Sequence, residues 1–287
     1  MTSVLYDSPG PVARRRSLIG SIAGGALIAA LLAVIVMRLN DRGVLDAQRW
    51  KVFTDPPRRL QASDVWRSLL IEGLGATLRA AAVGAVLALA FGVILVILRT
   101  AVSAWVRRPA TAVIELFRGI PVVLLMFFGV IALELPIFYG VVFGLAIYNA
   151  AIIGEILRAG IASLPNGQSE AAYALGLNRR QTMFTILLPQ AIRRMLPSLI
   201  SQFVVLLKDT SLGYIIGYTE LLRSIQLNAE YFGNRFWFQL FFVGASIYIL
   251  INFSLSRLAV WLERRGTMKA AGGMAKADET QLAAPAP

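Results

Sequence analysis

Seven ionisable side chains stand inside or at the edge of long apolar runs: Arg79, Glu115, Arg118, Glu155, Arg158, Lys208 and Asp209. A charge in a hydrocarbon layer costs upwards of ~2.5 kcal/mol on insertion scales, so such groups face protein or water and often border a route for polar solutes. Glu115 and Arg118 are three residues apart, as are Glu155 and Arg158, which places each pair on one helical face. Mutual neutralisation near the membrane boundary is the first reading of both pairs, and a part in a solute path is the second. Arg79 has no opposite charge at helical spacing. It is the stronger candidate for meeting a carboxylate through a charge-assisted hydrogen bond.

Other chemistry is excluded by composition. The 287 residues contain no Cys and no His. That removes thiol nucleophiles, disulfides, the usual activating base of a serine and the common zinc ligands. An enzyme is not expected, nor a metal or cofactor held by this chain. No Gly-Lys pair occurs, so the phosphate-cradling loop G-x-x-x-x-G-K-S/T is missing. ATP-driven work would therefore need a second polypeptide. The net charge of +12 comes from basic residues at the ends of apolar runs, where they set topology, and not from a stripe that would bind nucleic acid.

The elements that must position these charges are membrane spans. With 57% hydrophobic and 15% charged residues, the composition predicts an all-α, polytopic helical bundle in the lipid bilayer. Six spans are expected: 18–37, 70–98, 111–133, 138–157, one from 192 past Pro197 to a break at 208–211, and 236–262. Residues 1–13 are expected to be irregular. Arg14, Arg15 and Arg16 before the first apolar run resemble a signal peptide, but the run lacks a small-residue cleavage site and is read as a retained helix. Arg99, Arg107, Arg108, Arg264, Arg265 and Lys269 place both termini in the cytoplasm, with Pro136 at an outer turn.

One interval resists this scheme. Residues 40–67 fall outside and, with Arg38 at their edge, carry Arg42, Arg49, Lys51, Arg58, Arg59 and Arg67, against the positive-inside rule. Trp50, Phe53 and Trp66 suggest an amphipathic segment lying at the interface. Residues 219–235 read as a polar outer segment, and 266–287, rich in Ala and Gly, as a disordered cytoplasmic tail.

Residues 163–189 are polar between two apolar segments. Asn166 is expected to cap a short helix, with Glu170 near its positive end and Gly176 as a left-handed C-terminal cap. Asn178 followed by Gln181 predicts a second helix start, closed or kinked at Pro189.

Glu170-Ala171-Ala172, Gly176, Ile186 and Leu188-Pro189 at this spacing resemble the EAA loop of bacterial ABC importer permeases. The stretch 115–121 is similar to the family's E-x-F-R-G-x-P signature, Tyr148-Asn149 through Gly160 to the segment before the loop, and 208–212 to the KDTSL signature of amino acid permeases. Leu164-Pro165-Asn166-Gly167-Gln168 resembles the polar amino acid branch, while Ile120 and Gly154 stand where threonine and alanine are common. The resemblance spans most of 79–257 and makes 18–37 an addition to a five-span core, as in the longer permeases of actinobacterial glutamate uptake.

The resemblance implies a division into 1–67 (N-terminus, extra span and outer segment), 68–265 (permease core with coupling loop 163–189) and the tail 266–287. Gln168, Glu170, Ala171, Ala172 and Gly176 would dock on an ATP-binding cassette ATPase dimer that carries the ATP and Mg. The other implied partners are a second permease subunit, the same chain or a sister, and an extracellular substrate-binding protein. The setting would be the plasma membrane. Asn149 joins the candidates for the substrate path. Glutamate, or another acidic or polar amino acid, is the expected substrate; glutamine and cationic amino acids are the alternatives, the latter suited by Glu155. The alternative from another class is an ion- or proton-coupled secondary transporter with Glu115, Glu134 or Glu155 as relays.

Overall fold

The computed structural model describes residues 10–57 and 59–282. Most of 1–13, expected to be irregular, together with Arg58 and the last five residues of the tail, lies outside the described residues.

Helix α1, Pro11–Asp41, is longer than the apolar run that signals it. Proline is pre-organised for a first helical turn, which explains why 11–13 are helical. None of its residues is buried. The outer segment that follows is folded. Asp46 caps α2 (Ala47–Trp50) by accepting from the Gln48 amide at 3.0 Å, and a tight turn over Lys51–Phe53 follows. Helix α3 (Ala62–Trp66) then runs through a wide-turn stretch, Arg67–Leu74, into α4 (Gly75–Arg99). The run Ala62–Arg99 is continuous, so the boundary drawn at 67/68 falls inside a helix.

The third span is not straight. Helix α5 (Ala104–Gly119) meets α6 (Val122–Phe127), which continues through Phe128–Ala132, at a bend of 103°. Pro121 disfavours helical geometry at the residue before it, and Ile120 is extended, with φ −86° and ψ 128°. The single span expected over 111–133 is thereby corrected to a broken pair.

Helix α7, Ile137–Ala162, leads into the polar loop with α8 (Gly167–Ala174) and α9 (Arg179–Gln181). A wide-turn stretch, Thr182–Leu187, joins α10 (Leu188–Asp209). Pro189 does not close the helix. Its ring would clash with a carbonyl four residues back in regular α geometry, and the wider turns immediately before it relieve that conflict. The break expected near 208–211 is present as a 3₁₀ stretch, Thr210–Ile216, ended by Gly217 at φ +86°. The outer segment 219–235 contains a true helix, α11 (Leu221–Phe232), before a short turn and α12 (Trp237–Leu282). Alanine-rich sequence keeps α12 helical past Gly266, where a disordered tail was expected.

Among the described residues, five helical runs are long and apolar enough to cross a membrane, six if the bent α5–α6 pair is counted as one span. The main core lies between α4, α7 and α10, with Ala80, Ala88, Val96, Leu145, Ile153, Leu157 and Leu206 at its centre. A Cβ on Gly92 would stand 2.7 Å from Ile153 Cγ2, so the α4–α7 approach depends on a small residue there. A second core joins the outer segment to α11 and the start of α12 through Val52, Phe53, Val65, Leu69, Leu221, Ile225, Phe232 and Leu240. Val52, Phe53 and Val65 therefore anchor the outer segment as a cap packed on α11 and α12. Arg99, at the far end of the Ala62–Arg99 run, touches Glu155 near the end of α7 that enters the loop. The cap thus lies on the face opposite the loop.

Candidate functional site

Two arrangements emerge, a projecting loop and a cluster of charges near its root. In the loop, the Gly176 amide donates to Tyr173 O at 2.9 Å and the Leu177 amide to Ala172 O at 3.1 Å. These are the paired bonds of a Schellman motif, and Gly176 holds the left-handed conformation it needs, φ +80°. Asn178 and Gln181 form the expected reciprocal cap, with bonds of 2.8 and 2.9 Å. Asn166 does not cap with its side chain. Its backbone is already helical, which turns the side chain away from the N–H groups that follow, and only its carbonyl accepts, from Ser169 and Glu170.

Gln168, Glu170, Ala171 and Gly176 are exposed on this element, and Gln168 Oε1 accepts from Gln190 Nε2 at 3.2 Å. Ala172 is turned inward and buried, so its contribution is to packing. Arg194 donates to Ser163 O at 2.9 Å and ties the loop's root to α10. Sequence reasoning passed over Leu175, an apolar residue 82% exposed beside the glycine turn. Its signal was a leucine at the position just before a C-capping glycine, where no span needs it.

The charge cluster gathers five groups from three helices. Arg158 pairs with Glu155 at 2.7 Å and Arg118 with Glu115 at 3.6 Å, both at the expected spacing. Arg99, read from sequence only as a topological anchor, donates to Glu155 and pairs with Glu115 at 3.5 Å. The result is a chain Arg118–Glu115–Arg99–Glu155–Arg158 that joins α5, α4 and α7 just where α7 enters the loop.

The remaining candidates are elsewhere. Asn149 is fully buried; it donates to Leu145 O at 2.8 Å and accepts from Gln202 Nε2 at 2.7 Å, linking α7 to α10. Arg79 is exposed on α4 and makes no ion pair among the described residues. Burial pushes the Tyr218 phenol up, and the nearby Arg79 guanidinium acts against that shift. Lys208 and Asp209 end α10, outside the cluster, and the Lys208 carbonyl accepts from Tyr248 at 2.9 Å. Sequence reasoning also missed Glu220. It is fully buried at the start of α11, where its carboxylate accepts from the Leu222 and Arg223 amides at 3.0 and 2.9 Å. Burial, opposed by those two bonds, raises its pKa to about 7.

Among the described residues the chain is a bundle of membrane-length helices with one broken pair and a polar element projecting between two of them. The chain belongs to the family of binding-protein-dependent transport system inner membrane components, whose profile matches residues 84–267. It is 44% identical over 235 residues to the glutamate transport system permease protein GluD of Corynebacterium glutamicum, covering 79% of this chain and 83% of that one. It is 37% identical over 206 residues to the probable glutamine ABC transporter permease protein GlnP of Bacillus subtilis, covering 70% and 94%. Among solved structures, an amino acid ABC transporter crystallised with histidines matches 71% of this chain and 97% of that one, with a TM-score of 0.63 and 28% identity. An inward-facing methionine transporter, at 22% identity and a TM-score of 0.53, shares the fold.

The chain is thus an ABC importer permease subunit, a multi-pass membrane protein, as its loop and signatures led us to expect. It is not an enzyme: in this family ATP is hydrolysed on a separate subunit. The ion-coupled alternative finds no relative among these proteins.

Proposed function

We propose that this chain forms the translocation path of an importer for an acidic amino acid, glutamate first. The observation that carries the reading is the 44% identity to a protein named as a glutamate permease, sustained over 79% of the chain. The chain pairs with a second permease subunit and receives substrate from an extracellular binding protein. Its exposed Gln168, Glu170, Ala171, Leu175 and Gly176 seat on an ATPase dimer that holds the ATP and Mg. Both termini are cytoplasmic, on the side of the loop. The division into an N-terminal region to residue 67, a core over 68–265 and a tail from 266 is kept in this reading.

In the working cycle, ATP-driven closure of the ATPases draws the two loops together. The Schellman turn makes each loop stiff enough to transmit that motion, and the Arg99-centred cluster passes it from α7 to α4 and α5. ATP hydrolysis and release then reverse it. Arg79, which makes no ion pair among the described residues, offers a contact for a substrate carboxylate. Asn149, Lys208 and Asp209 remain candidates beside the path.

Uptake of labelled glutamate by cells expressing the whole system, with aspartate, glutamine or arginine as competitor, tests the substrate. Competition by aspartate is the expected result. Competition by glutamine alone would favour the second reading, a glutamine importer, which the 37% identity to a protein named for glutamine supports. Competition by arginine alone would exclude an acidic substrate.

A further inference from the structure

Helix α5 has three faces. Ala110 and Ile114 are buried where it packs on α4 and α7. Beside them runs an exposed apolar stripe of Trp105, Val106, Pro109, Val113 and Leu116, spaced as one face of a helix, with Trp105 91% exposed. The third face is polar and holds Arg107, Arg108, Thr111, Glu115 and Arg118. The position of the helix matches this division. It is bent by 103° from the short stretch Val122–Ala132 that continues the span, and its Glu115 meets Arg99 at the end of α4, the loop-side rim of the bundle. A helix at that rim, near a right angle to its own span, lies along a membrane surface and not through it. Leu116 on one side of the bend and Leu124 on the other are both exposed, so the stripe meets the apolar surface of the span, which carries on through Phe128 and Ile131.

The charges on the polar face do not cancel. Glu115 is the one acid of α5, and it is already shared by Arg118 and Arg99. Among the described residues Arg107 and Arg108 enter no ion pair; Arg107 donates to Ala101 O and Val102 O, each at 3.5 Å. Two adjacent guanidinium groups are therefore left beside an apolar stripe with tryptophan at its start. Tryptophan is suited to the depth of the headgroups, and arginine to a phosphate, which it grips with two parallel hydrogen bonds. Apolar face, tryptophan and free arginines together fit a leaflet with anionic headgroups.

We propose that α5 is an interfacial helix: its apolar stripe lies in the loop-side leaflet, and Arg107 and Arg108 hold the phosphates of anionic lipid headgroups. The assignment rests on the chain being a membrane-embedded permease and is independent of which amino acid it carries. Its consequence reaches the charge cluster. Glu115 and Arg118 belong to the same helix, so the lipids that seat α5 also fix the end from which it pairs with Arg99.

The chain contains no cysteine, so a fluorophore on Val106→Cys reports that position alone when the companion subunits are made cysteine-free. The assembled transporter is placed in nanodiscs, and quenching is measured as phosphatidylglycerol or phosphatidylcholine carrying a nitroxide on its acyl chain is titrated in. Both lipids should quench, and phosphatidylglycerol should do so with about fivefold higher apparent affinity. Arg107→Gln with Arg108→Gln should bring the two affinities close to equal, while Arg107→Lys with Arg108→Lys should keep most of the difference, because lysine preserves the charge. Val113→Cys, two turns further along the stripe, repeats the measurement at a second site. Absence of quenching by either lipid would overturn the proposal, in favour of a protein surface such as the second permease subunit covering the stripe. Equal affinities with both arginines present, or a preference that survives the glutamine pair, would overturn it as well. None of these results bears on the substrate, which the uptake competition tests separately.

Discussion

Arg99 at the end of α4 and Glu155 on α7, 56 residues apart in sequence, are joined by an ion pair that also reaches Glu115 on α5. Arg99 is the only member of the cluster bonded to both of its acids. Each acid keeps a local arginine three residues away, so losing Arg99 leaves two separate pairs and cuts the link between the helices.

Arg99→Gln should lower the apparent Tm of the purified assembly by about 2–4 °C for each kcal/mol lost. It should reduce uptake more than ATP turnover. Combined with Glu155→Gln it should be non-additive, with a coupling of about 1–2 kcal/mol, because the residues are in direct contact. Strict additivity in thermal melts would mean that the pair carries no shared energy.

Gly176→Val should uncouple ATP hydrolysis from uptake without preventing membrane insertion. A Cβ at this site would meet nothing within 4 Å, so the cost arises from the backbone angle of +80° alone, about 1–2 kcal/mol. Asn tolerates that angle better, and Gly176→Asn should restore part of the uptake. Parallel assays of ATPase rate and uptake check both variants; normal uptake with valine would show that the turn's geometry does not matter.

Leu175→Asp should weaken retention of the ATPase during purification and leave the permease's own melting temperature unchanged. The side chain is 82% exposed, so it contributes little to the isolated fold. Co-purification yield against wild type is the measurement, and a lowered Tm with full ATPase retention would assign Leu175 to folding instead.

Glu220 should make stability depend on pH. Its carboxyl is raised from 4.5 to about 7 by burial, so the folded state holds its proton more tightly than the unfolded one. Stability from this group is complete below about pH 4.5, declines as pH rises through the interval and is lost above about 7. Glu220→Gln should flatten the Tm profile between about pH 4.5 and about 7, its whole window. A profile with the wild-type slope would place the titration elsewhere.

Hydrophobicity over about twenty residues marks a span wherever it occurs, so the membrane character and the span positions were legible in the chain. The loop was legible too, because Gly176 and the Asn178–Gln181 cap act within a few residues of themselves. Asn166 failed as a cap for the same kind of local reason, a backbone angle that residue type alone does not dictate. The 103° break at Pro121 was not read from the chain, where 111–133 looks like one span, because prolines are tolerated inside helices elsewhere, at Pro109 and Pro197. Only packing around each site separates the two outcomes.

Other features were decided by tertiary structure alone. Arg99 reads as one more inside-facing arginine until α4, α5 and α7 bring Glu115 and Glu155 to it. That the charged interval 40–67 packs on the rest of the chain is seen only when Val52, Phe53 and Val65 find α11 and α12, more than 150 residues later. Glu220 reads as an ordinary surface acid until that core closes over it. By itself, then, the sequence determined the class of protein, its spans and the geometry of its turn at Gly176, all of which rest on interactions between near neighbours. Contacts across tens to hundreds of residues, and the burial they impose on charge, were left for the folded chain to decide.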